Sequence, residues 1–410
     1  MSGYQYIKNV QRRKEMEAYK EMFFFRGTPL EVSCIEDGYI LPPKGGVYEN
    51  WQKGLSKPTM GVGGVVDATG EYVDFSATRV EHLVQLSALT RDRFGGKYDF
   101  DKEAVTYRDE EVIYCGIFWK QWGHFLIDQI VRLWYVIKNT GSDSKLVWLT
   151  GEKEENPIKG NYLEIIKLLG IDENRFEFVR EITKFKKIIV PEPCFYPGRY
   201  YTNEYVQMLQ CMIEHSLDKY EGETYKKIYF SRTNFSKNSI MEIGEQSIEN
   251  IFRENGYRVL YPEKLKAFEM IAIVNQCEVY ASMVGTVAHN SVFASDGMKQ
   301  IIINRNRIIN PFQFQISAMK QIEDMYIDAW EEPVKPISLD NLPGRFWEDP
   351  CFLSINDMFK KFCKDNNLMI TFKAHNLGMS IRNYMKIRFY YFKVKYLRPM
   401  KKYLKGSKSS

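Results

Sequence analysis

The chain has 410 residues, too many for one ordinary hydrophobic core, so two domains are the default expectation. With 44% hydrophobic and 27% charged residues, and no apolar run of 18 or more, the composition is that of a soluble globular protein and predicts no membrane-spanning helix. The net charge of +5 is uneven: residues 382–410 hold ten Lys or Arg and no acid, and removing those ten charges leaves the rest at −5. A mildly acidic body argues against nucleic acid as a partner and assigns any electrostatic contact to the tail. The opening MSGYQYIKNVQRRKEMEAYK lacks the apolar stretch of a secretory signal. Seven scattered cysteines without CxxC pairing read as reduced thiols of a cytoplasmic protein, with no metal site expected.

In chain order, a first helix is expected over 8–24 and extended structure over 32–42. Residues 63–78 read as a hairpin turning at Asp67 and Gly70, and the polar, glycine-containing 91–110 as largely loop. EVIYCGIF (111–118) is a buried strand, followed by a helix, a strand at 145–150, a helix at 158–169 and strands near 175–179 and 186–190. This alternation predicts a largely parallel sheet covered by helices. PEPCFYPGRYYTNE (191–204) is a candidate linker. After a helix at 204–219 the alternation restarts: strands at 228–232, 257–262, 277–284 and 299–304, with helices at 245–255, 264–275 and 286–295 between them. This second block reads as doubly wound. A Pro-rich stretch (331–350), a helix at 354–365 and a basic aromatic tail close the chain. The division expected is 1–203, 204–345 and 346–410.

Ligands of open α/β sheets bind beyond the carboxyl ends of the strands. Three loops stand at such ends: Lys120, Gly123 and His124 after the first strand; Ser231, Arg232, Asn234 and Lys237 after another; Gly285, Thr286, His289 and Asn290 after a third. Gly285 permits a close turn and Thr286 can cap the helix expected next, whose terminus would favour an anion. An arginine just past a strand, Arg232, can fork onto a diphosphate or pair with Glu242 or Glu245. In WGHFLIDQIVRLW (122–134), His124, Asp128 and Arg132 recur every four residues, in one shallow stripe of an otherwise apolar helix. A carboxylate one turn from an imidazole holds its tautomer and raises its basicity, the arrangement of a general base. Arg132 would keep Asp128 ionised or simply pair with it.

The ordered runs YCGIFWKQWGHFLIDQIVRLW, KIYFSRTNFSK, a Glu-containing segment at 242–245 and VYASMVGTVAHNSVF resemble the motifs of glycosyltransferase family 61, and the chain is similar to its bacterial capsular-polysaccharide members. The resemblance spans roughly 30–305 and is most specific from Gly123 to Trp134. It implies a GT-B architecture, two Rossmann-like, doubly wound α/β domains facing across a cleft, with the nucleotide-sugar mainly on the second and the acceptor mainly on the first. It also implies an inverting reaction. By position, Gly123, His124, Asp128 and Arg132 match the first motif, Ser231 and Arg232 the second, Gly285 and Asn290 the third. Two departures stand out: Val284–Gly285 replaces the usual His–Gly, and the arginine-rich stretch after Arg232 is reduced to TNFSKNS.

The expectation is therefore a metal-independent transferase with His124 as base, oriented by Asp128, and a saccharide or lipid-linked glycan as acceptor. Arg232, Lys237 and the loop after Gly285 would stabilise the departing diphosphate. One alternative is a metal-dependent GT-A enzyme using Asp99 and Asp101; the other is a non-catalytic binding protein on the same fold. The tail, 382–408, alternates basic and aromatic residues and suits either the face of an anionic membrane or a last helix packed on the first domain.

Overall fold

The computed structural model describes residues 3–22, 24–45, 61–84, 87–235, 242–331 and 351–371, with isolated positions in the tail. Two sheets organise these residues. In the first, strands β1 (Val32–Glu36), β2 (Tyr39–Lys44) and β3 (Val62–Val66) come first; a hairpin of β4 (Thr78–Val84) and β5 (Ser87–Phe94) follows as a separate two-stranded sheet. Then come β6 (Thr106–Phe118), β7 (Lys145–Thr150), β8 (Phe176–Phe178) and β9 (Thr183–Pro191). The path runs β3-β2-β9-β6-β7-β8, with β1 also on β9. β9, β6, β7 and β8 are mutually parallel, whereas β1 and β2 join antiparallel. The last seven residues of β6 are all buried, as a strand covered on both faces must be.

A short hairpin of β10 (Phe195–Tyr196) and β11 (Tyr200–Tyr201) leads to a helix at Asn203–Lys219, and then to the second unit. Its strands are β12 (Lys227–Phe230), β14 (Arg258–Leu260), β15 (Val279–Met283), β16 (Lys299–Asn304) and β17 (Glu323–Asp328), all parallel, in the order β14-β12-β15-β16-β17. A small sheet of β13 (Glu242–Ile243), β18 (Trp330–Glu331) and β19 (Cys351–Leu353) lies beside it. By sequence, the five strands take the doubly wound order 2-1-3-4-5. Its switch point lies between β12 and β15, the place where ligands of such sheets bind beyond the strand ends.

Several expectations change. Residues 91–110 are loop over 95–105, but their two ends belong to β5 and the start of β6, because backbone pairing with β4 and β9 supplies what apolar periodicity does not. The 63–78 hairpin keeps its turn, with Gly70 N–H donating to Asp67 O at 3.0 Å. Its outward arm, however, pairs with β2, and only the bridge Val66–Tyr72 joins the return arm. Residues 191–204 are not a free linker: Glu192, Cys194, Phe195 and Thr202 are buried. One apolar cluster runs from Ile113 and Trp148 through Phe125 and Met212 to Ile228 and Ile303, so the two sheets share a continuous core. The helix expected at 286–295 is a six-residue 3-10 turn, Ala288–Phe293. β17 and a helix at Pro311–Met319 were not foreseen. The first twenty residues pack on β17: Tyr6 bridges Ile327, and Arg12 pairs with Asp328 at 2.5 Å with both side chains buried.

Candidate active site

The segment after β6 is shaped by its ends. Gln129 brackets the strand exit, accepting from Trp119 N–H at 3.2 Å and donating to Trp119 O at 3.1 Å. Gln121 caps the next turn, its side-chain oxygen accepting from His124 N–H at 2.7 Å. The turn at Trp122–His124 passes into a π-helical stretch, Phe125–Gln129, closed by Ile130 N–H onto Phe125 O at 3.2 Å. Such bulges recur at functional sites and shift the angular register of the residues beyond them. A regular helix resumes only at Leu133. The expected three-residue stripe is therefore cut in two. His124 and Asp128 meet, Nδ1 to Oδ2 at 2.8 Å. Arg132 turns away, its Nη2 donating to Ala77 O at 2.8 Å and to Phe75 O. Gly116, at φ +102° in a bulge of β6, leaves room for that guanidinium: a Cβ there would lie 3.0 Å from Arg132 Nη1. Arg132 thus braces the loop at 74–77 and does not pair with Asp128.

His124 Nε2 is taken by a residue that sequence pattern alone did not single out. Arg93, at the end of β5, places Nη1 2.7 Å from it and Nε 3.5 Å from Asp128 Oδ2. Arginine has no acceptor, so Nε2 accepts, and Nδ1 carries the proton donated to Asp128. Burial and the Arg93 charge, opposed by Asp128, hold the His124 pKa below the ordinary histidine value. The imidazole is therefore neutral near pH 7, and its side chain is 21% exposed, not sealed in the core. Asp128 Oδ1, without a hydrogen-bond partner among the described residues, belongs to a side chain lining a cavity of about 140 Å³ with Arg132, Glu192, Tyr196, Arg199 and Tyr200.

The third motif closes onto the first. Gln121 Nε2 donates to Thr286 Oγ1 at 3.2 Å, and Trp122 Nε1 donates to Asn290 Oδ1 at 2.7 Å. A Cβ on Gly123 would lie 3.0 Å from His289 Nδ1 and 3.2 Å from Thr286 Cα, so a larger residue would have to push the two segments apart by a few tenths of an ångström. His289 Nε2 accepts from Asn310 Nδ2 at 2.9 Å, which leaves its proton on Nδ1. That ring is 5% exposed, and burial pushes its pKa down to about 3. Gly285 has φ +111°, as its turn requires. Thr286 caps no α-helix, and the six-residue 3-10 turn lacks the aligned dipole of a long helix, so no helix terminus favours an anion here.

A second cluster stands past β12, next to β15 in the sheet. Arg232 Nη1 and Arg305 Nη1 both contact Glu242 Oε1 at 2.8 Å. Arg305 comes directly after β16; a cation after IIIN, at the carboxyl end of a parallel strand, was the available signal. Glu245 Oε1 accepts from Arg232 N–H at 2.9 Å and from Tyr229 hydroxyl at 3.1 Å. Burial first, then neighbouring Glu242, raises the Glu245 pKa to about 8, so it is protonated at neutral pH. Ser231 is wholly buried and donates to Glu249 Oε2 at 2.6 Å, so its hydroxyl anchors the loop. Lys237 lies outside the described residues. Asp99 and Asp101 are on an exposed loop, where Asp101 Oδ1 accepts from Glu103 N–H at 3.0 Å. Among the described residues no group of three or more His, Cys, Asp or Glu is placed to hold a metal ion, and no helix is long and apolar enough to cross a membrane.

The segment that carries His124, Asp128, Ser231, Arg232, Glu242, Glu245, Gly285 and His289 is also the one that known proteins share. The family model for Glycosyltransferase 61 matches residues 122–302. No curated protein matches the chain. Over this segment, somewhat under half of its length, the chain is similar to glycosyltransferase family 61.

Proposed function

We propose that the protein is an inverting glycosyltransferase that moves a sugar from a nucleotide-sugar to a saccharide or lipid-linked glycan in cell-surface, capsule-type polysaccharide synthesis. The observation that carries this reading is the His124–Asp128 pair at the end of β6, its imidazole neutral, packed against the Gly285–His289 turn at the end of β15. In this reading the two sheets are the two lobes of a GT-B-like arrangement, divided near residue 203. The first supplies the base and the second the nucleotide site at the β12/β15 switch point.

The chemistry is a single in-line displacement. His124 Nε2 takes the proton of the acceptor hydroxyl, the acceptor oxygen bonds to the anomeric carbon, and the bond to the diphosphate breaks with its electron pair on the phosphate oxygen. Asp128 holds the imidazole in the required tautomer and steadies the cation that forms. Arg232 and Arg305 face the developing charge. Two arginines share the one Glu242 carboxylate and Glu245 is protonated, so the cluster is electropositive, which suits a diphosphate. No metal ion is needed in this scheme. The cavity beside Asp128, with Tyr196 and Tyr200, suits a pyranose: rings for its apolar face, charged groups for its hydroxyls.

The tail fits the same setting. Ile381, Met385, Phe389 and Phe392 are helical, exposed and spaced by one turn, as a segment lying on an anionic cytoplasmic membrane surface requires. Apart from the exposed Arg382, the remaining tail residues lie outside the described ones. Purified protein is screened against a nucleotide-sugar panel by thermal shift, and the best sugar donor is then assayed with glycan acceptors in excess EDTA. A selective shift and transfer that survives the chelator are expected. No shift with any nucleotide-sugar, or transfer abolished by EDTA and restored by Mn²⁺, overturns the corresponding part of the proposal.

A further inference from the structure

Both ring nitrogens of His124 are occupied: Nδ1 by Asp128, Nε2 by Arg93. The lone pair that would receive the acceptor's proton is therefore capped by a guanidinium. A base in this state cannot act. Arg93 is itself under-used. Its Nε has no hydrogen-bond partner among the described residues and keeps only the 3.5 Å ion contact to Asp128, a carboxylate already committed to His124. Its guanidinium also lies over the Phe312 ring at 5.5 Å, so this arginine of the β4–β5 hairpin reaches the second unit. A fork-shaped cation whose Nε–H has no hydrogen-bond partner among the described residues, at a junction of two units, is suited to bidentate capture of phosphate oxygens.

We infer that Arg93 is a positioning residue with two stations: on His124 Nε2 before the nucleotide-sugar binds, and on its diphosphate afterwards. Its departure bares the base only once the leaving group is in place. The exchange is one of hydrogen bonds alone. Nε2 loses a donor and regains a free lone pair, and the guanidinium trades a neutral nitrogen for anionic oxygens, which it prefers. Base activation is thereby tied to occupancy by the nucleotide-sugar, so the nucleotide-sugar binds before proton transfer can occur and an empty site keeps its base covered. The inference rests on the transferase reading of the same site.

The test uses full-length protein, wild type and the variants Arg93→Met and Arg93→Lys, with UDP, GDP and CDP as probes one at a time. The first measurement is calorimetric affinity for whichever diphosphate binds wild type. The second is the His124 titration by nitrogen NMR; five histidines make assignment by substitution practical. The charged and titratable groups facing His124 are Arg93, Asp128 and His289, and only Arg93 is changed. Arg93→Met is expected to weaken diphosphate binding about tenfold or more. It should also raise the His124 pKa of the free protein, since a facing positive charge is gone. Arg93→Lys should keep the low pKa but lose much of the affinity, having charge without a fork. A folded Arg93→Met protein with affinity within twofold of wild type overturns the second station, and an unmoved His124 titration overturns the first. If wild type itself binds no nucleoside diphosphate and no nucleotide-sugar, the transferase reading falls with it, a result distinguishable from either of the others.

Discussion

Replacing Glu245 by Gln should make the protein's stability less dependent on pH above about 5, and the site sets the size of the effect. Glu245 is 1% exposed, and its Oε1 accepts from Arg232 N–H and Tyr229 hydroxyl. A glutamine oxygen can keep both bonds. In the unfolded chain Glu245 titrates at its ordinary value of 4.5, and in the folded protein near 8. Between those values the native state holds a proton that the unfolded state has released. The stabilisation from this group is complete below pH 4.5 and is lost as pH rises through 8. Each unit of difference is worth about 1.4 kcal/mol, so the loss is on the order of 4 to 5 kcal/mol. Glutamine cannot ionise and suffers none of it. Urea unfolding of both proteins at pH 5, 7 and 9 measures the difference directly, because groups common to both cancel. Glu245→Gln should gain progressively on wild type from pH 5 to pH 9. Parallel curves would refute the protonated, buried carboxyl and, with it, the electropositive character assigned to the Arg232–Arg305 cluster.

Other consequences are as specific. His124→Ala should leave the fold intact, by circular dichroism, and cut turnover by roughly 10² to 10⁴; near-normal turnover would remove it from the role of base. Gly123→Ala should cost about 1–3 kcal/mol in a denaturant melt, because its Cβ meets His289 and the Thr286 backbone at 3.0–3.2 Å, and an unchanged midpoint would show that the two segments part easily. Arg12→Met should destabilise by roughly 3–5 kcal/mol, since Asp328 would keep a buried charge supported only by Asn304 and the Lys8 N–H. A loss below 1 kcal/mol would mean that the amino-terminal segment contributes little to holding β17.

The alternation of strand and helix was legible because strands covered on both faces, such as EVIYCGIF and KQIIIN, must be continuously apolar. The first motif was legible for a related reason. Histidine and aspartate one turn apart on a buried helix need each other, and they meet at 2.8 Å. Arg132 was misjudged because four-residue spacing assumes an unbroken α-helix, and the π-helical stretch between Phe125 and Gln129 resets the register. Thr286 was misjudged because a Gly–Thr start looks the same before a long helix and before a six-residue turn. Arg93 could not be read at all. It lies on a polar strand, β5, that exists through pairing with β4, and its ligand is a histidine 31 residues away.

Hydrophobic pattern and local spacing, which act within a turn or two of chain, determined on their own the two α/β blocks, the strand ends on which the candidate residues stand, and the His124–Asp128 pair. Only the tertiary structure decided which distant groups share those ends. It set Arg93 on Nε2, Arg305 beside Arg232, Gly123 against His289 and the amino terminus on β17. The reason is that hydrogen bonds and ion pairs between remote segments are chosen by how the sheets stack, and a linear sequence carries no period for that.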